Sequence, residues 1–131
     1  MAAYRSAVYG VFTPRWLSVN FEPSTQDHGD AKSPEGMFLG GFNVLENPDK
    51  VKPTVPIAYL DKAKEIPPFL IIHGNKDRLV PFSQSVMLYN ALKQNNKSVT
   101  MYKLDGADHG GSPFWTEDAQ EIVDDFFLRN L

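Results

Sequence analysis

Two residues in this chain have the type and the spacing for proton transfer: Asp77 and His109. Asp77 stands in His73-Gly74-Asn75-Lys76-Asp77-Arg78-Leu79-Val80-Pro81, directly after the apolar run Phe69-Leu70-Ile71-Ile72-His73. His109 stands in Asp105-Gly106-Ala107-Asp108-His109-Gly110-Gly111, after Val99–Leu104, a stretch of strand length with β-branched and aromatic residues. In open α/β sheets, reacting groups collect at the carboxyl ends of the strands. On one rim, a carboxylate can accept the Nδ1 proton of an imidazole and fix its tautomer. It then stabilises the imidazolium formed when Nε2 takes a proton. The glycines around His109 give the backbone freedom to bring the ring over the rim.

Each residue alone has a plainer reading. A carboxylate that ends a strand can cap a helix or pair with Arg78, and a histidine in a glycine-rich loop is often only a surface residue. Two such groups at strand ends one βαβ unit apart favour catalysis. Other candidates are weaker. Asp27-His28-Gly29-Asp30 has the composition of a metal cluster, yet it sits in a polar loop without further histidines and reads as solvated. Ser112 is near His109 in sequence but lies in a loop. Val80, Phe114 and Trp115 are candidate substrate-lining residues, and the two aromatics read equally as a seal between the last helix and the sheet. The chain has no glycine-rich phosphate loop, which counts against a nucleotide-binding fold.

The elements that must position Asp77 and His109 are legible from residue 66 onward. Phe69–His73 reads as a strand buried on both faces, ended by Gly74. Pro81–Asn96 reads as a helix, with Ser83 as N-cap, Leu88, Ala91 and Leu92 on its inner face, and Asn95-Asn96 as the stop. Val99–Leu104 is the next strand. Thr116 caps a last helix whose inner stripe is Ala119, Ile122, Val123, Phe126 and Phe127, with Glu117 and Asp118 at the favourable end of its dipole. Strand, helix, strand, helix over 66–131 is a βαβα unit, so the sheet is parallel and the class is α/β. Before it, Ala7–Phe12 reads as one more strand. Residues 20–65 form an irregular, lid-like segment in which Pro53 and Pro56 interrupt the best apolar stretch.

Composition narrows the classes. The 131 residues have room for one domain, and 42% of them are apolar. Thirteen Lys plus Arg against sixteen Asp plus Glu give a net charge of -3, which argues against a nucleic-acid partner. There is no cysteine, which excludes disulfides, thiolate metal sites and a cysteine nucleophile. No apolar run approaches a membrane span, and no signal peptide is recognisable; the compartment stays open. About three parallel strands are too few to cover a parallel sheet on both faces, and they leave apolar edges. The chain therefore reads as part of a larger sheet, completed by an N-terminal portion or by a second copy.

The segment Pro67–Pro81 resembles the acid-bearing segment of α/β-hydrolase fold serine esterases, in the branch that holds prolyl-oligopeptidase-like enzymes and acetyl or feruloyl esterases. Gly106-Ala107-Asp108-His109-Gly110 resembles that family's histidine loop, and Gly40-Gly41 with Asn47–Leu60 resembles the stretch leading into the acid strand. The resemblance is full over 37–131 and loose before it. It implies a partial α/β-hydrolase fold, an ester substrate, no cofactor or metal, Asp77 as triad acid and His109 as triad base. It assigns His73 to a structural position. The family's nucleophile sits in a G-x-S-x-G elbow upstream of the acid. None of Ser6, Ser18, Ser24, Ser33, Ser83, Ser85, Ser98 and Ser112 lies in that pattern. The expectation is thus a C-terminal portion of a serine hydrolase that is inactive alone. A peptidase of the prolyl-oligopeptidase kind and a non-catalytic chain that only binds or self-associates are the alternatives.

Overall fold

The computed structural model describes residues 24–131, so the strand expected at Ala7–Phe12 lies outside the described residues. Two strands, β1 (Phe69–Gly74) and β2 (Val99–Leu104), pair in parallel with Phe69 opposite Val99 and Gly74 opposite Leu104. Their carboxyl ends are therefore flush, and the loops that follow both leave the same rim. Among the described residues four α-helices accompany them: α1 (Pro34–Phe38), α2 (Pro48–Val51), α3 (Phe82–Gln94) and α4 (Glu117–Asn130). Short 3-10 turns occupy Lys52–Thr54, Pro56–Tyr59 and Ser112–Trp115.

Strand alternation divides the sheet between two helices. Phe69, Ile71 and Val99 pack on α3 through Leu88 and Leu92, and Leu60 joins this core with Ile57 and Ile66 at its border. The irregular segment thus contributes packed residues as well as turns, with Val55 and Leu60 both buried. On the opposite face, Leu70, Thr100 and Tyr102 line a groove shared with Ile122 and Phe126 of α4. The expected burial of β1 on both faces is corrected here: Phe69–His73 are half-buried and only Gly74 is buried. Among the described residues β1 has one neighbouring strand, and the groove keeps α4 from sealing the second face.

The boundaries of α3 show local chemistry at both ends. The expected N-cap, Ser83, is instead an exposed residue of the first turn, and Pro81 occupies the cap. Pro81 has the extended conformation of a cap residue (φ -54, ψ 134), and its carbonyl accepts from Gln84 N. At the other end Asn96 adopts φ 54, Lys97 N donates to Leu92 O, and Asn96 N donates to Lys93 O. This is a Schellman closure with asparagine in the left-handed position. In α4, Thr116 Oγ1 accepts from Ala119 N, and Arg129 pairs with Asp125 one turn away. Its stripe Ala119, Ile122, Val123, Phe126 and Phe127 turns inward while Glu121, Asp124 and Asp125 are exposed.

Candidate active site

The acid loop begins where Gly74 ends β1. A Cβ on Gly74 would collide with the carbonyl oxygens of Ala107 and Asp108, so only glycine lets the two loops approach this closely. Asn75 N donates to Leu104 O and Lys76 N to Ala107 O, which continues the strand pairing into the loops. Asn75 adds a side-chain staple: its Nδ2 donates to Asp105 Oδ1, and its Oδ1 accepts from Gly106 N. Across the histidine loop, Gly111 adopts φ 90 and ψ -165, a region open essentially to glycine alone, and hands the chain to the Ser112–Trp115 turn.

Within this frame Asp77 Oδ2 lies 2.9 Å from His109 Nδ1. The Asp77 side chain is 3% exposed and that of His109 is 39% exposed, so the carboxylate is dry while the imidazole faces out. The second oxygen, Asp77 Oδ1, accepts from Leu79 N at 2.9 Å and Val80 N at 2.7 Å. The plain reading of Asp77 as a helix cap is corrected here: α3 begins after Pro81, and one oxygen of Asp77 ties the Leu79–Val80 turn before it while the other meets the imidazole. His109 presents Nδ1 as donor and leaves Nε2 without a partner among the described residues, which is the tautomer a base requires.

Arg78 turns away from Asp77 and grips Asp108 instead. Asp108 Oδ2 accepts from Arg78 Nε at 2.6 Å and Nη2 at 2.5 Å, while Oδ1 accepts the backbone N–H groups of Arg78 and His109, each at 2.9 Å. The backbone bond from Arg78, then the Arg78 side chain and the His109 N–H, lower the Asp108 carboxyl from 3.8 to about 2. This latch joins the residue after Asp77 to the residue before His109. Sequence reading missed it, although the signal was present: the neighbours of Asp77 and His109 carry opposite charges.

The remaining candidates fall in different places. His73 Nε2 lies 3.0 Å from Asp77 Oδ2, and its Nδ1 lies 2.6 Å from Ser85 Oγ, a contact the sequence did not disclose. Val80 meets the site through its backbone, with N donating to Asp77 and O accepting from His73 Nε2 at 3.1 Å. Phe114 is half-buried and Trp115 is 74% exposed, so Trp115 does not seal the last helix to the sheet. Ser112 is exposed at the start of the turn. Asp27 and Asp30 are solvated turn residues that accept from Gly29 N and Lys32 N. His28 is not solvated: its side chain is 10% exposed, with Nδ1 2.8 Å from Glu35 and Nε2 2.7 Å from Leu79 O. Among the described residues no group of three metal-ligating side chains occurs, and no helix is long and apolar enough to cross a membrane.

With the acid and the imidazole on one rim, comparison with known proteins becomes informative. The BD-FAE family profile matches residues 6–92, two thirds of the chain and the whole of the acid loop. The chain belongs to the BD-FAE family. This match reaches further toward the N-terminus than the resemblance read from residues 37–131. Esterase LipQ of Mycobacterium tuberculosis is 36% identical over 73 residues, 55% of this chain and 17% of that protein. The acylamino-acid-releasing enzyme of Mus musculus is 31% identical over 94 residues, 72% of this chain and 11% of that protein. Among solved structures, a truncated form of carbohydrate esterase from gut microbiota superposes with a TM-score of 0.70 at 34% identity, covering 78% of this chain and 35% of that one. A bifunctional GH43-CE protein of Bacteroides eggerthii gives 0.64, also at 34% identity, covering 77% and 13%. This BD-FAE chain thus has a partial α/β-hydrolase fold of the esterase type, and it corresponds to a minor part of each relative's length.

Proposed function

We propose that this BD-FAE chain contributes the acid and the base of a serine carboxylic-ester hydrolase. The carrying observation is the 2.9 Å contact between Asp77 Oδ2 and His109 Nδ1, made by a carboxylate that is 3% exposed. In this reading a serine from outside the chain attacks the ester carbonyl as His109 Nε2 takes its proton, and Asp77 stabilises the resulting imidazolium. The imidazolium then protonates the departing alcohol. Water, deprotonated by the same nitrogen, releases the acid and restores the serine. The reaction calls for no metal and no organic cofactor. Val80, Phe114 and Trp115 are the proposed substrate wall. Similarity to a truncated carbohydrate esterase supports a carbohydrate ester as substrate, and the resemblance in sequence narrows it to acetyl or feruloyl esters on polysaccharide. Similarity to the acylamino-acid-releasing enzyme favours a second reading, a peptidase using the same two residues.

None of the chain's serines stands in a G-x-S-x-G elbow, so the chain alone is expected to show no activated serine. Covalent labelling with a fluorophosphonate tests this directly. The expected result is no stoichiometric label. A label on one of its own serines, lost in His109→Ala, would mean that the chain carries its own nucleophile.

A further inference from the structure

We infer that His73 is a positioning residue for the base, acting through the oxygen it shares with His109. The inference deepens the proposed acid–base reading and rests on it for its catalytic meaning. Asp77 has about four lone-pair sites as a carboxylate. Leu79 N and Val80 N fill one oxygen, and His73 Nε2 and His109 Nδ1 fill the other, at 3.0 and 2.9 Å. A side chain 3% exposed leaves little room for water to substitute for any of the four.

The partners of His73 assign its proton. Nε2 faces two acceptors, Asp77 Oδ2 and Val80 O, so a bare lone pair there would oppose both. Nε2 therefore carries hydrogen, and Nδ1 accepts from the Ser85 hydroxyl at 2.6 Å. Phe82 stands edge-on to the ring at 5.5 Å and 72°, which holds its plane. The result is a directed chain: Ser85 donates to His73, His73 donates to Asp77, and Asp77 receives His109 from the other side. Ser85 and Phe82 belong to the first turn of α3, so the helix itself sets the rotation of the carboxylate. Without His73, Oδ2 keeps one side-chain donor and the carboxylate is held from its Oδ1 side alone, by Leu79 N and Val80 N, so His109 loses the fully fixed acceptor that keeps its proton on Nδ1.

Imidazole nitrogen shifts, read in long-range proton–nitrogen spectra of the full chain in alkaline solution, test this without any need for turnover. The wild-type chain should show His73 as the Nε2–H tautomer and His109 as the Nδ1–H tautomer. His73→Phe keeps an aromatic ring against Phe82 and should move His109 toward the Nε2–H form. His73→Gln, whose amide N–H reaches a similar place, should restore the Nδ1–H signature. Ser85→Ala, a small change on the helix surface of the site, should mix the tautomers of His73 and shift His109 in the same direction by less. If His73→Phe does not fold, Ser85→Ala carries the test. A His109 signature unchanged in every folded variant overturns the positioning role and leaves the acid–base reading intact. A wild-type His109 that is not the Nδ1–H tautomer overturns the acid–base pair itself.

Discussion

Two carboxylates, each holding four N–H contacts, do different work beside the His109 imidazole. Asp77 is dry and aims one oxygen at imidazoles, whereas Asp108 is 37% exposed and spends all its contacts on Arg78 and the His109 backbone. Because these donors depress the Asp108 carboxyl from 3.8 to about 2, it stays ionised in the fold at pH values where the unfolded chain has begun to bind the proton. Its contribution to stability is therefore complete above 3.8 and disappears as the pH falls through about 2. Unfolding curves recorded across that window should show the wild-type chain losing stability more steeply than Asp108→Asn; parallel curves would mean that the latch is idle. Asp77 and His109 were legible because each follows an apolar strand that a glycine punctuates, so chain order alone put them on one rim. The latch, the second imidazole and Ser85 were not. Ser85 lies 12 positions from His73 and Asp108 lies 30 from Arg78, so the lie of α3 and the β1–β2 register bring these together. The four-residue step from His73 to Asp77 depends on the turn that follows β1.

At the scale of elements, the most informative departure is at the ends of α3. Ser83 has the chemistry of an N-cap, but Asp77 Oδ1 already ties Leu79 and Val80 into a turn, so the helix starts at Phe82 and Ser83 falls inside it. The Asn95-Asn96 stop was read from residue type alone and is realised in detail, with Asn96 at φ 54 and the 6→1 bond from Lys97 N to Leu92 O. Asparagine tolerates this conformation better than residues with an ordinary Cβ. Asn96→Ala should lower the stability of the chain by about 1 kcal/mol and Asn96→Gly should leave it equal or slightly higher, measured by urea unfolding. An alanine variant as stable as wild type would mean that this closure does not constrain the helix. The segment 20–65 was the least legible part. Its short turns lack periodicity, and burial of Val55 and Leu60 depends on where α3 lies rather than on local sequence.

For the molecule as a whole, composition and strand count pointed to part of a larger α/β sheet, and family membership agrees with a partial fold of the esterase type. β1 and β2 are the two strands among the described residues, and the groove between their outer face and α4 stays open. We propose that a second copy, or an N-terminal portion of the same fold, completes this open side of the sheet, since exposed strand edges invite pairing and symmetric dimers are the commonest oligomers. Sedimentation of the chain at micromolar concentration should find a dimer, and a monomer across that range would refute the second copy. The claim on which the account turns is that Asp77 and His109 are an acid and base awaiting a serine. It is tested most directly by kinetics of a chimera in which residues 24–131 replace the matching region of the truncated carbohydrate esterase. The chimera should hydrolyse the ester substrates of that enzyme, Asp77→Asn should lower kcat by about 10⁴-fold, and His109→Ala should lower it at least as far. Turnover that both substitutions leave unchanged would contradict the account.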